Sequence, residues 1–184
     1  MTQEDAPQRP PTHSLPGDRG SVPDAVETRD FAEIEPEFMR RIARIVWCTV
    51  ATVDRQGRPR TRILHPIWKI ADGVPVGYIA TGRHSLKEKH LAGNPYVSLT
   101  YWDPVHEQVY VDAKSEWADA PAERQRIWDL YKSTPPPLGY DPAIIWPGGP
   151  LTDDFGVLRL MPWRIELWSL AALMQSKPPQ IWRA

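Results

Sequence analysis

The chain has a single cysteine, Cys48, so no disulfide can form within it, and its place in an apolar run predicts an inert core thiol. No apolar run approaches the roughly 20 residues that a membrane helix needs, so no membrane partner is expected. Net charge is nearly absent: 22 basic residues stand against 23 acidic ones, without the domain-wide basic excess of a nucleic-acid binder. The G-x-G-x-x-G, P-loop, G-x-S-x-G and H-E-x-x-H patterns are all missing. His13, His65, His84, His90 and His106 show no metal-ligand spacing, so no metal site is expected. The opening stretch MTQEDAPQRPPTHSLPGDRG has no apolar centre and does not read as a signal peptide; a reducing, cytoplasmic setting is the expectation.

What is abundant is proline and tryptophan, with 21 and nine residues in a chain of 184. Nine tryptophans are more than one small barrel readily hides, which predicts an obligate homodimer. Residues 1–28 are rich in Pro, Gly and charge without periodicity and read as a disordered tail, leaving 29–184 as one domain.

From Asp30, the apolar positions Phe31, Ile34, Phe38, Ile42 and Ile45 recur at helical spacing, with Arg40, Arg41 and Arg44 opposite. The period then changes. Val46–Val53 is apolar and β-branched, and Asp54-Arg55-Gln56-Gly57 is a turn. Arg58–Ile70 is a second long β-like run, reversed at Ala71-Asp72-Gly73 into a third over Val74–Thr81. Tyr96–Trp102 and Gln108–Trp117 read as the fourth and fifth strands, and Pro121–Tyr131 as a helix. Ser133–Pro150 holds six prolines, and a connection of that length predicts a lid or an interface arm. Phe155–Leu160 and Trp163–Leu170 suggest a closing hairpin or one strand bent at Met161-Pro162. About six strands of meander character predict a mainly β fold, an antiparallel barrel with a few peripheral helices.

The most informative segment is Ala80–Pro95, ATGRHSLKEKHLAGNP. A β-like run ends at Thr81, and Ser85 opens a short amphipathic stretch carrying Lys87 and Lys89. Hydroxyls and cations at a strand–loop–helix junction suit a phosphate, because free N–H groups and the helix dipole favour an anion there. On spacing alone, Ser85 serves equally as a helix cap and the lysines as a solvated face. Charge distribution favours the anion. Residues 55–89 carry eight Lys or Arg against two acids, leaving 14 basic and 21 acidic residues elsewhere. Arg60 and Arg62 alternate onto one face of their strand, toward solvent or a ligand.

Four segments stand in order between Ile42 and Trp168: Gly57-Arg58-Pro59-Arg60-Thr61-Arg62-Ile63-Leu64; Ala80-Thr81 with Ser85-Leu86-Lys87 and Asn94-Pro95; Gln108-Val109; and Pro162 with Ile165-Glu166-Leu167-Trp168. Together they make the chain resemble the split-barrel flavoproteins typified by pyridoxamine 5'-phosphate oxidase, including their deazaflavin-dependent relatives. The resemblance implies an antiparallel split β-barrel that binds flavin mononucleotide (FMN), or alternatively the deazaflavin coenzyme F-420. It implies cofactor-binding roles for Arg62, Ile63, Leu64, Thr81, Ser85, Lys87, Gln108 and Trp168. Arg62, Thr81 and Lys87 fall at the phosphate and Gln108 near the ring. Trp168 stacks on the ring or packs in the core or a dimer.

The departures from the family pattern are equally definite. Leu86 replaces the family's arginine before the lysine, and Ile67 replaces a second lysine, with Lys69 as its candidate substitute. After Trp168 the family's Arg-Leu-His element gives way to Ser169-Leu170-Ala171-Ala172-Leu173. The resemblance therefore implies hydride transfer between the cofactor and a small planar organic substrate rather than true pyridoxamine-phosphate oxidation. His65 and Trp68 are candidate pocket walls, Tyr140 and Trp146 candidate substrate contacts, and no general acid or base is assignable. A non-catalytic flavin- or tetrapyrrole-binding barrel is the alternative.

Overall fold

Alternation of buried and half-buried residues along Cys48–Val53 marks the first barrel strand, with Cys48, Val50 and Thr52 turned inward. The computed structural model describes residues 24–184. Its elements run β1 (Val26–Thr28), α1 (Glu35–Ile45), β2 (Cys48–Val53), β3 (Pro59–Leu64), β4 (Ile67–Ala71), β5 (Val74–Gly82), α2 (Leu86–Leu91), β6 (Tyr96–Trp102), β7 (Glu107–Trp117), α3 (Pro121–Ser133), β8 (Phe155–Ser169), α4 (Leu170–Met174) and β9 (Gln180–Arg183).

The strands form one sheet in the order β1-β9-β8-β7-β6-β2-β3, and β5, with β4 beyond it, pairs with the remaining edge of β8. Every pairing is antiparallel except β1 with β9. The sheet stays open between β3 and β4, which follow one another in the chain yet do not pair. This opening makes the molecule a split barrel.

Several expectations need correcting. The run Arg58–Ile70 is two strands, because His65-Pro66 interrupts it and proline has no N–H for a ladder. The helical pattern from Asp30 begins as one 3-10 turn, Phe31–Glu33, where the Asp30 carboxylate accepts from the Ala32 N–H at 3.0 Å; α1 follows it. Of the two forms expected for the closing segment the single bent strand is the one present, β8, with Trp163 bulged out of register beside Pro162. The tail assigned to 1–28 lies outside the described residues up to position 23, but Val26–Thr28 form β1 on β9. No helix among the described residues is long and apolar enough to cross a membrane.

Two apolar clusters fill the molecule. In the barrel, Phe31, Ile34, Phe38 and Ile42 pack on Trp68, Leu99, Tyr101, Ile165 and Trp182. The indole N–H of Trp68 donates to the Tyr101 hydroxyl at 2.9 Å, so its polar atom is satisfied in the core rather than lining a site. Cys48 is buried there too, and burial pushes its thiol up to about 12, which makes it inert. The second cluster joins α3 to the proline-rich segment: Trp128 and Trp146 stand edge-on to Phe155 at 5.2 and 5.0 Å. Residues 133–150 are thus a packed wall, with one 3-10 turn at Pro142–Ile144, rather than a loose lid.

The β4–β5 hairpin sets Gly77 opposite Trp68, where an added Cβ would come within 2.9 Å of the indole ring. Gly77→Ala is expected to cost about 1–3 kcal/mol by overpacking, and much less in a Trp68→Leu background. Urea unfolding of the four-member cycle checks this, and equal costs in both backgrounds would count against the contact.

Candidate functional site

The open edge between β3 and β4 carries a pocket of about 410 Å³. Leu64 and His65 enter it from the end of β3, and Ala80, Thr81 and Gly82 from the end of β5. Pro137, Tyr140, Ile145 and Trp146 of the proline-rich wall close one side, and Trp47 the other. Trp47 is aimed by an unusual backbone turn. Val46 adopts φ 66° and ψ −62°, and the Trp47 N–H donates to the Ile45 carbonyl at 2.7 Å. A positive-φ γ-turn on a β-branched residue is strained by about 1–3 kcal/mol, and such strain gathers at functional sites.

His65 organises the pocket wall. Its Nε2–H donates to the Leu138 carbonyl at 3.0 Å, which places the proton on that nitrogen. The ring stands edge-on to Trp47, Tyr131 and Tyr140 at 4.6, 5.5 and 5.4 Å, and burial lowers its proton affinity. Behind it, the Tyr131 hydroxyl accepts from the Ala80 N–H at 3.3 Å. That hydroxyl has the His65 and Tyr78 carbonyls as its own acceptors, each at 2.9 Å, so α3 ties the β3–β4 connection to β5.

Two cations stand beyond the Thr81–Gly82 end of this pocket. Lys87 is only 9 % exposed, and its Nζ donates to the Gly82 carbonyl at 3.0 Å and the Ser85 hydroxyl at 2.7 Å. Arg62 is half-buried, and its Nη1 donates to the Thr52 hydroxyl at 2.8 Å and the Val50 carbonyl at 3.2 Å. All four partners are neutral. Burial, and then the Arg62 charge, lowers Lys87 to about 8. Ser85 sits at the helix cap position but makes no capping bond; its hydroxyl serves Lys87. Because α2 is only six residues long, the case for an anion rests on these two side chains rather than on a helix dipole.

The other expected residues divide. Thr81 is buried on the pocket wall and Leu64 lines it, whereas the Ile63 side chain is 60 % exposed and faces away. Arg60 is exposed, so only Arg62 of the pair turns in. Ile67 is a core residue and Lys69 is exposed on β4, so neither replaces the missing lysine. Leu86 is 61 % exposed.

Gln108 and Trp168 lie on a different surface. They pair directly across β7 and β8, outside the barrel, because Val109 and Leu167 take the inward positions. With Ser98, Tyr110, Asp112, Arg164 and Glu166 they line a shallow depression of about 480 Å³ that shares no residue with the first pocket. One chain therefore does not bring Gln108 and Trp168 to Thr81 and Lys87. Sequence reasoning also missed Arg41, whose buried guanidinium donates to the backbone carbonyls of Gln108 and Trp168 at 2.8 and 2.5 Å. Its helical spacing marks Arg41 as a solvent-face residue, and only the sheet packed against α1 makes it interior. Trp47 and Thr52 were equally silent; the change of period at Val46 was the one available signal.

The Lys87 environment has a measurable consequence. The folded chain releases this proton near pH 8 and the unfolded chain near 10.5, so the free protein gains stability as pH rises between them. A bound phosphate restores the charge. Binding of a phosphate-bearing cofactor is therefore expected to weaken above pH 8 and, near pH 8.5, to take up a fraction of a proton. Calorimetry in two buffers of different ionisation enthalpy reads that uptake. Persistence of the uptake in Lys87→Gln would assign it to another group.

Comparison with known proteins agrees with this geometry. The family model for pyridoxamine 5'-phosphate oxidase matches residues 34–169. The pyridoxine/pyridoxamine 5'-phosphate oxidase of Pseudomonas entomophila (strain L48) is 29% identical over 147 residues, covering 65% of this chain and 64% of that protein. The chain thus spans just under two thirds of that relative's length. A Clostridium acetobutylicum protein related to general stress protein 26 of B. subtilis has a TM-score of 0.61 at 14% identity, covering 75% of this chain and 89% of that one. A pyridoxamine 5'-phosphate oxidase-related, FMN-binding protein of Nostoc punctiforme PCC 73102 has a TM-score of 0.53 at 17% identity, covering 86% of each chain. At these identities the solved structures show the fold, and the family model spans most of the domain: the chain belongs to the pyridoxamine 5'-phosphate oxidase family, a split-barrel group that includes FMN-binding proteins.

Proposed function

We propose that the protein is a flavin- or deazaflavin-dependent oxidoreductase that passes a hydride between its cofactor and a small planar organic substrate. The carrying observation is the pair Arg62 and Lys87, two inward cations near one another with only neutral partners among the described residues. Such a pair is a binding site for a phosphate, since charge-assisted bonds to an oxyanion offset both the desolvation and the mutual repulsion. The aromatic pocket beside them fits a flat ring system, so the residues present suit either cofactor. The ring cofactor supplies the hydride chemistry when bound.

The chain's own residues do the rest. Arg62, Lys87 and Ser85 hold the phosphate end. Leu64, Thr81 and Gly82 form the floor for the ring, and Trp47, Tyr140 and Trp146 exclude water and align a flat substrate. His65, neutral and fixed by Leu138, keeps that wall in place. Two observations support a substrate other than a vitamin phosphate: α4 occupies the position of the family's Arg-Leu-His element, and among the described residues no Lys or Arg lines the aromatic pocket. Gln108 and Trp168 join the site across a homodimer, in which the outer face of one barrel covers the pocket of the other. The exposure of Trp47, Trp102 and Trp163, at 57%, 53% and 45%, supports that association.

Arg62→Ala and Lys87→Ala are each expected to weaken cofactor binding by about 1.5–3 kcal/mol, or roughly 10- to 150-fold. Titration of each variant with FMN and with the deazaflavin coenzyme measures this, and wild-type affinity in either variant removes that residue from the site. Turnover with a reduced donor then separates the enzyme from a carrier, since tight binding without hydride transfer makes the protein a flavin- or tetrapyrrole-binding barrel. Light scattering at micromolar concentration is expected to give a dimer; a monomer leaves Gln108 and Trp168 outside the site.

A further inference from the structure

Behind the two cations runs a short buried chain of polar groups that phosphate contact by itself does not explain. Thr52 occupies an inward position of β2 and is 2 % exposed, where the strand's other inward residues are Cys48 and Val50. Its hydroxyl has two partners. Arg62 Nη1 of β3 lies 2.8 Å away, and His90 Nδ1 of α2 lies 2.9 Å away with the histidine also buried. A guanidinium can only donate, so the Thr52 oxygen accepts from Arg62; toward His90 Nδ1 the hydroxyl donates its proton or accepts on its second lone pair, according to the histidine tautomer. In either direction the one hydroxyl ties both side chains together.

This geometry solves a mechanical problem. Arg62 is on a strand whose only ladder partner among the described residues is β2, whereas Lys87 is on a six-residue helix outside the sheet. The two like charges repel, so in the free protein nothing electrostatic draws them together. Their spacing is set by other contacts of the elements that carry them, among them the Arg83–Glu88 ion pair, which anchors α2 next to the end of β5. Thr52 is the atom-to-atom link between the elements that carry them, since it binds the Arg62 head directly and grips α2 through His90, three residues from Lys87 on the same helix.

We propose that Thr52 and His90 are positioning residues for the cofactor phosphate, the Thr52 hydroxyl holding Arg62 and α2 at the separation at which Arg62 and Lys87 grip one phosphate together. This rests on the reading of Arg62 and Lys87 as the phosphate site. Neither Thr52 nor His90 touches the phosphate. They act through Arg62 and through the placement of α2.

The test compares two ligands that differ only in the phosphate, FMN and riboflavin, or a deazaflavin 5'-phosphate monoester and its phosphate-free chromophore where titration shows the deazaflavin coenzyme to be the ligand. Thr52→Val keeps the shape and removes the hydroxyl. It is expected to lower affinity for the phosphorylated ligand about tenfold and to leave the phosphate-free ligand unchanged. His90→Leu is expected to do the same, and Thr52→Ser to restore the wild-type ratio. Both ligands are titrated into one preparation, so partial misfolding cancels from the ratio. If the wild type fails to prefer the phosphorylated ligand, the phosphate reading falls and this proposal with it. If the wild type prefers it and Thr52→Val keeps the full preference, the phosphate reading stands and the positioning role is overturned. A parallel loss for both ligands also overturns it, making the Thr52 bond part of the general fold.

Discussion

Every other element of this barrel is placed by the two edges of one long strand. β8 pairs with β7 along one edge for almost its whole length. Along the other edge it pairs first with β5, up to Leu160, and then with β9, from Arg164. The change of partner falls at Met161-Pro162-Trp163, where proline lacks the N–H that would continue a ladder and the bulge bends the strand. One half of β8 therefore carries the β4–β5 hairpin and the pocket floor. The other half carries β9, and through it β1. The gap between β3 and β4 follows from this arrangement, because β4 reaches the sheet only through β5.

That gap is where the chemistry collects. Two short-range contacts border it: the Tyr131 hydroxyl, bonded to the His65 and Tyr78 carbonyls, and the His65 bond to Leu138. Aromatic edges fill the space between them, so the proline-rich wall gains its order by packing against α3 and β8 rather than by any ladder of its own. Charge enters on one side only. Arg62 and Lys87 stand at the Thr81–Gly82 end, while among the described residues no Lys, Arg, Asp or Glu lines the aromatic pocket.

Much of this was legible in the sequence, for identifiable reasons. The strand runs announce themselves by β-branched alternation, and the six expected runs are present as seven strands because Pro66 divides Arg58–Ile70; the short β1 and β9 bring the described residues to nine. Thr81, Ser85 and Lys87 form a local string, so their proximity follows from a strand, a turn and one helical turn. Leu64 and Thr81 line one pocket, and Tyr140 and Trp146 join them there. Arg62 was readable as one of two same-face arginines, but which of the two turns inward was not. That choice depends on Val50 and Thr52 of the neighbouring strand offering it acceptors.

The sequence by itself determined the mainly β class, the short cationic segment and the loss of the family's Arg-Leu-His element, because each is a property of residue order within some ten positions. Only the tertiary structure decided that Gln108 and Trp168 face away from Thr81 and Lys87, that Arg41 is interior, and that Thr52 joins β3 to α2. Those facts turn on register and on which face of each strand the core claims. A shift of one residue in pairing reverses every side chain, and neither composition nor spacing records which of the two faces is covered.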